Sequence, residues 1–319
     1  MYSELNRLSD FSKKENIPNF LKATTKIPLV KIALTEIILR RMVGRTEKYD
    51  PTGKNLFLNP LGNYSQFLAW INILSWNGYH RERALRDLDS SAPSAIFLAI
   101  LLRRLNDWVP QVRQAAKAAV WRAVAQTDAE LVVDTLWLIL PARRSWQRMG
   151  VDDALALSMI SERPEIASLL AERLKTATAG PAPAVLRQAS VREGLDEFLP
   201  DLSAKAVMPA VRALVNKMLI EGRAFWVSGY RREWIDKIYN KYRLVPVFDT
   251  RIIRSEIDRD NFIEAVSEDK SIIVRRSLAQ VLLDNRDALT VRQNRIVQKL
   301  ADDSSSTVAS VAEFIRVRS

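Results

Sequence analysis

The side chains that most often carry catalysis are scarce in this sequence, which has one histidine and no cysteine among 319 residues. Thiol nucleophiles and disulfides are therefore excluded, and a zinc ion would lack both sulfur and a second imidazole. A histidine-based triad would depend on His80, which we interpret as an ordinary helix residue. Neither a Gly-x-x-x-x-Gly-Lys loop nor a Gly-x-Gly-x-x-Gly turn occurs. We predict no catalytic residue, no metal site and no cofactor.

Carboxylates are the remaining route to catalysis. Asp152 and Asp153 form a conspicuous acidic pair, but neighbours on a helix point about 100° apart and would not share one site. A carboxylate-only enzyme therefore stays an alternative without assigned residues.

Cations, in contrast, are abundant: 48 Lys and Arg face 37 Asp and Glu, which gives a formal charge of +11. Neutralising phosphates releases counterions and supplies affinity that does not depend on sequence. We expect nucleic acid as the partner, DNA rather than RNA, with an acidic protein as the alternative.

One basic and aromatic segment stands out, Arg223 to Arg254, with eight cations, three acids and seven of the 25 aromatic residues. Such a mixture suits single-stranded or flipped nucleic acid, because rings stack on bases while cations meet phosphates. On a helical wheel it also predicts a buried stripe of Trp234, Ile235, Ile238 and Tyr242. We favour the buried stripe for Trp234 and Ile238. The cations predicted to be available to a ligand are Arg231, Arg232, Lys237, Lys241 and Arg243. A smaller patch contains Arg143 and Arg144.

A repeated frame indicates the elements that carry these side chains. Residues 107–120 and 269–282 each begin with an Asp, reach a Val-Arg pair five residues later and continue with small or apolar residues at helical spacing. Residues 303–315 keep the frame, with Ala309 in place of the arginine. These three copies have anchors at residues 112, 274 and 308, and weaker copies add anchors at residues 80, 147 and 211. The separations are close to one or two multiples of about 33 residues, and the unmatched copies would fall near residues 179 and 242.

Each copy places apolar residues on one face of a helix, and a second apolar helix precedes it. A helix pair cannot cover its own apolar faces, so the pairs must stack on neighbours. The Asp, Val-Arg, small-residue frame resembles the HEAT family, which implies an all-α, right-handed α-solenoid. The resemblance further implies structural roles for Asp107, Arg113, Asp269 and Arg275, which would bond along the stack.

The repeat also predicts a row of cations on the concave side of the second helices. Its members are Arg86, Lys117, Lys217 and Arg276. A phosphate backbone could follow such a row, although Glu82 and Asp152 lie on the same side and favour an ordinary solvated face.

The repeats begin after an N-terminal region. We predict a helical cap and a Pro-, Gly- and Asn-rich loop over residues 1–61, followed by a solenoid over residues 62–319. No apolar stretch reaches the roughly 20 residues that cross a bilayer, and the N-terminus lacks a signal-peptide pattern. We expect a cytoplasmic protein with no membrane partner.

The leading functional hypothesis is a non-catalytic HEAT-like scaffold that binds nucleic acid, chiefly the DNA backbone, through a basic concave face. The first alternative is a protein–protein interaction scaffold in a multi-subunit complex. The second alternative is a HEAT-like alkylpurine DNA glycosylase, a type that uses Trp and Asp on a concave surface. This chain is similar to those enzymes in its basic balance and its eight tryptophans.

Overall fold

The computed structural model describes residues 2–9, 15–27, 32–44, 64–143, 146, 148–254 and 257–318. Within these ranges the chain forms 17 α-helices and one two-stranded antiparallel sheet. The predicted helix-rich class is confirmed, and the small two-stranded sheet is an addition that the prediction did not include. The predicted boundary between residues 61 and 62 lies outside the described residues. The chain divides into two compact units, Met1–Ile160 and Ser161–Ser319.

The first unit is helical throughout its described residues. Its α-helices are α1 (Tyr2–Leu8), α2 (Asn16–Thr24), α3 (Ile32–Gly44), α4 (Tyr64–Asn72), α5 (Gly78–Asp87), α6 (Ala95–Arg103), α7 (Pro110–Gln126), α8 (Ala129–Ala142) and α9 (Val151–Ile160). Alternate helices pack together: α5 contacts α7, α7 contacts α9 and α6 contacts α8. The core runs through α6, where residues 96–102 are all buried. Caps fix the helix starts, as where the Asp128 carboxylate accepts hydrogen bonds from two backbone N–H groups of α8.

The second unit combines helices with the sheet. Its elements are α10 (Pro164–Thr176), α11 (Ala182–Ala189), α12 (Leu199–Lys205), α13 (Pro209–Glu221), β1 (Arg223–Asp236), β2 (Lys241–Ile252), α14 (Arg259–Ser267), α15 (Ile272–Asp284), α16 (Val291–Ala301) and α17 (Ser306–Arg318). Helix α13 packs on α11 and α15, and α15 packs on α17. Gly222, with a left-handed φ of 66°, ends α13 and turns the chain into β1.

An arginine contact recurs between helix pairs in both units. Four arginines donate from Nη1 to the carbonyl six residues earlier, over 2.7–2.9 Å; they are Arg81, Arg113, Arg212 and Arg275. Three of them also donate two hydrogen bonds to an aspartate of the next helix pair, in the pairs Arg81–Asp107, Arg212–Asp269 and Arg275–Asp303. These contacts agree with the structural role predicted for Asp107, Arg113, Asp269 and Arg275.

The structure corrects the register of the repeat in two places. The anchors at 80, 112, 211, 274 and 308 are each the third residue of a helix. Gln147 lies outside the described residues, and its neighbour Arg148 precedes α9 instead of lying within a helix. The copy expected near residue 242 is absent, because residues 241–252 form β2. The separation of 63 residues from Val211 to Val274 therefore includes a β-hairpin.

Candidate nucleic-acid interface

The β-hairpin of the second unit contains the predicted basic and aromatic segment. Its strands pair from Arg223 opposite Ile252 to Asp236 opposite Lys241, with irregularities after Val227 and Trp234. The carboxylate of Asp236 closes the turn, since its Oδ1 accepts hydrogen bonds from the backbone N–H groups of Ile238 and Tyr239. Asn240 follows with φ of 50°, a conformation that asparagine tolerates better than most residues.

The predicted buried helical stripe in this segment is wrong. Trp234 is 43% exposed and Ile238 is 90% exposed, and Ile235 and Tyr242 are exposed as well. Because the segment is extended, side chains alternate between two faces with a period of two residues, and the helical wheel does not apply.

The root of the hairpin is held firmly by the helices of its unit. The guanidinium of Arg251 donates to the carboxylate of Asp196 over 2.5 and 2.8 Å and to the carbonyls of Ser190 and Arg192. Ala224 is buried, and the ring of Phe225 is contacted by two cations of α11 and α13, each 5.5 Å from the ring centroid; these are Arg187 and Lys217. The root therefore positions the rest of the hairpin, residues 229–247, which we call the distal half.

Strand pairing divides the distal half into two different faces. Residues paired across the strands share a face, and consecutive pairs lie on opposite faces. One face, which we call the aromatic face, continues to Phe248 and consists of Tyr230, Arg232, Trp234, Tyr242, Leu244, Pro246 and Phe248. The rings of Trp234 and Tyr242 meet edge to face at 5.6 Å. The other face, the polar face, consists of Gly229, Arg231, Glu233, Asp236, Lys241, Arg243, Val245 and Val247.

The distal half is basic, with five cations and two acids. The five cations are those predicted from the sequence, Arg231, Arg232, Lys237, Lys241 and Arg243, and all five are exposed. Arg243 is paired with Glu233 at 2.7 Å, and this hydrogen bond lowers the pKa of Glu233. Among the described residues the other four have no carboxylate within ion-pair distance. Arg232 lies 4.8 Å from the Tyr242 ring and Lys241 lies 5.8 Å from the Tyr239 ring.

The helix cations predicted as a row have different surroundings. Arg86 donates to Glu82 on its own helix at 2.7 Å. Lys117 lies 4.0 Å from Asp152. Lys217 lies 3.5 Å from Glu221 and also contacts the Phe225 ring. Arg276 is exposed. Three members of the predicted row are therefore close to a carboxylate that offsets their charge.

The smaller patch is described only in part. Arg143 is half-buried at the end of α8, and burial lowers the pKa of its guanidinium. Arg144 lies outside the described residues.

A cavity of about 430 Å³ lies beside the root of the hairpin. Its charged lining residues are balanced, two arginines against two acids: Arg223, Arg259, Glu221 and Asp284. This balance gives no preference for an anionic ligand.

Asp107, the neighbour of Trp108, is not available as a catalytic carboxylate. The side chain of Asp107 is 1% exposed and accepts hydrogen bonds from Arg81 and Arg104. Burial acts to raise the pKa of Asp107, but the hydrogen bond from Arg81 and the charge of Arg104 outweigh it and lower the pKa overall. A carboxylate held in this way braces the helices and is out of reach of a substrate.

Other chemistry has little support in the part of the chain that the structure describes. His80 lies 3.5 Å from the hydroxyl of Ser75 and 3.4 Å from the side-chain amide of Asn77. Within the described ranges, no three His, Cys, Asp or Glu side chains are grouped to hold a metal ion. No helix in those ranges has the length and apolar character needed to cross a membrane.

No family model, curated protein or solved structure matches this chain.

Proposed function

We propose that this protein is a HEAT-like scaffold that binds nucleic acid through the distal half of its β-hairpin. Its helix pairs would stack as a right-handed α-solenoid. The observation that carries the proposal is the group of exposed cations on the hairpin without carboxylate partners: Arg231, Arg232, Lys237 and Lys241.

The scaffold part of the proposal rests on the recurring arginine contact. Arg81, Arg212 and Arg275 each join a carbonyl of their own helix pair to an aspartate of the next pair. Repetition of one polar contact between successive pairs is expected where similar units stack in similar geometry.

The nucleic-acid part rests on charge and exposure. Unpaired cations are free to meet phosphates, and neutralising about four phosphates would give a salt dependence with a slope near −3.6. Affinity should then fall about 100-fold between about 50 and 200 mM monovalent salt. We keep DNA as the expected polymer.

The test is a titration of fluorescent DNA of about 20 nucleotides, single-stranded and duplex, at several salt concentrations. A triple variant, Arg231→Glu with Lys237→Glu and Lys241→Glu, should weaken binding by at least about 100-fold and reduce the salt slope by about 3.

The matched control is Arg86→Glu with Lys117→Glu and Arg276→Glu, which changes the net charge equally. It should alter affinity by less than about 3-fold, because its cations are not those proposed to meet the phosphates. Wild-type affinity that is absent at low salt, or that ignores salt, would overturn the proposal. A larger loss in the control than in the hairpin variant would move the site to the predicted helix row.

A second candidate function is binding to a protein partner, favoured by the strand edges. The sheet has two strands only, so each strand has one unpaired edge in the described structure, and an extended peptide can add to such an edge. This candidate would be favoured if a protein partner still binds the charge-reversal variant and the wild type does not bind DNA.

A further inference from the structure

We infer that the hairpin binds single-stranded nucleic acid, with unpaired bases stacked on its aromatic face. This inference rests on the proposed function and names its substrate class. It is based on the exposed rings of the aromatic face, which phosphate binding alone would not need.

The rings lie on one side of the hairpin in two groups, with Trp234 and Tyr242 near the turn and Tyr230 and Phe248 nearer the root. Tyr230, Trp234, Tyr242 and Phe248 are each 40–48% exposed, and all belong to the aromatic face. The Arg232–Leu244 pair separates these two groups, so Trp234 lies about 13 Å along β1 from Tyr230. Each group therefore presents partly exposed rings to a planar ligand.

At the root of the hairpin, in contrast, an aromatic ring is already contacted by side chains of the helices. Phe225 lies on the same side as Phe248, but it is contacted by Arg187 and Lys217 of the helices. The distal rings have no such helix contacts among the described residues, apart from their contacts within the hairpin. They are thus free for a ligand in a way that Phe225 is not.

The cations are arranged to accompany a strand whose bases cover the rings. Arg232 lies on the aromatic face against Tyr242, and Lys237 lies in the turn at the end of the hairpin. Arg231 and Lys241 extend from the polar face. Phosphates of a strand stacked on the aromatic face would pass the strand edges, where long cationic side chains from either face can reach them.

A duplex fits this face less well than a single strand. Bases inside a duplex are covered on both sides by their neighbours, so only unpaired bases offer a planar surface to a ring. A two-stranded ribbon can enter the major groove, but it then needs hydrogen-bonding side chains toward the base edges. The aromatic face has one charged side chain, Arg232, among rings and aliphatic residues.

An acidic protein fits less well too. Its carboxylates would pair with the cations, but they would not stack on the rings. The exposed rings therefore favour nucleobases over acidic side chains as the ligand.

The test separates stacking from charge by using four probes of about 20 units: oligothymidylate, an abasic oligonucleotide with the same phosphates, a blunt duplex and a polyglutamate peptide. Oligothymidylate should bind at least about 10-fold more tightly than each of the others. The variant Trp234→Val with Tyr242→Val should lose about 100-fold in affinity for oligothymidylate and keep its affinity for the abasic probe.

Two controls keep the result interpretable. The variant Trp234→Phe with Tyr242→Phe retains the rings and should retain most of the oligothymidylate affinity. Ile252→Val, at an exposed position at the root of β2 outside the aromatic face, should leave binding unchanged, and circular dichroism of each variant should match that of the wild type.

Each contrary result has one meaning. Equal affinity for oligothymidylate and the abasic probe would overturn stacking and leave the proposed function standing. Preference for the duplex would overturn the single-strand inference in the same way. Equal binding of polyglutamate would overturn both in favour of an acidic protein, and no binding of any nucleic acid would also overturn both.

Discussion

Arg86 on α5 and Arg231 on β1 are both exposed arginines, but their neighbours differ. The guanidinium of Arg86 donates to Glu82, four residues earlier on the same helix. Arg231 is paired across the strands with Val245, and Arg232 with Leu244. A helix brings residues four apart onto one face, whereas a hairpin brings together residues that are distant in the sequence. The same residue type is therefore offset on the helices and available on the hairpin.

The acids of the hairpin sharpen this contrast. Asp236 is opposite Lys241, but its Oδ1 is already engaged by two backbone N–H groups of the turn. Glu233 is engaged by Arg243. Neither carboxylate makes an ion pair with the remaining four cations, although the charge of Arg231 also contributes to lowering the pKa of Glu233. The lack of ion pairs is why we place the ligand on the hairpin.

The largest expected effect comes from removing the carboxylate partner of the most deeply buried arginine. Asp107→Asn leaves Arg81 and Arg104 without their shared carboxylate, and the side chain of Arg81 is 0% exposed. We expect a loss of about 3–5 kcal/mol in the free energy of unfolding, measured by urea denaturation. Asp152→Asn, which removes the exposed partner of Lys117, should cost less than about 0.5 kcal/mol. Equal effects would contradict the structural role of the arginine contact.

A smaller effect, dependent on pH, is expected at the last of these contacts. The hydrogen bond from Arg275 holds the pKa of Asp303 below its ordinary value. The stabilisation is therefore complete above the ordinary aspartate pKa near 4, and it is lost as the pH falls through the lower pKa of the folded protein. Asp303→Asn should cost about 2 kcal/mol at pH 7 and should flatten the decline of stability below pH 4.

Thermal or urea unfolding of both proteins from about pH 7 to pH 2 measures this difference. If the stability of the variant declines below pH 4 as steeply as that of the wild type, Asp303 is not the cause of that decline.

The smallest effect is expected at the tip of the hairpin. Ile238 is 90% exposed, so Ile238→Asp should change the free energy of unfolding by less than about 0.5 kcal/mol. The control Val274→Asp, at a fully buried anchor of α15, should prevent stable folding. A loss of several kcal/mol at Ile238 would mean that the residue is packed in a core, as the helical interpretation predicted.

The sequence was sufficient for the helices and for the residues that brace them. Asp107 and Arg275 were recognisable because one short frame recurs and because its apolar residues follow helical spacing. The pairing of Arg86 with Glu82 could also be anticipated, since the two residues are four apart. The contact of Lys117 with Asp152 could not, because it joins residues 35 apart.

The hairpin was missed because its aromatic residues satisfy two periods at once. Trp234, Ile238 and Tyr242 are four residues apart, which fits a helix. In β2, the large apolar residues Tyr242, Leu244 and Phe248 are separated by even numbers of residues, which fits a strand equally well. Gly229, Pro246 and Asn240 were the available signals against a helix. A two-stranded hairpin is marginal by itself, and the contacts of Arg251 with Asp196 and Ser190 that secure it span more than 50 residues.

The most direct test of the hairpin as the nucleic-acid interface is to locate the contact itself. An oligothymidylate carrying photoreactive 5-iodouracil can be crosslinked to the protein and the modified residues identified by mass spectrometry. We predict crosslinks at Tyr230, Trp234, Tyr242 or Phe248. Crosslinks confined to helices α5, α7, α13 and α15, with none on the hairpin, would contradict the account.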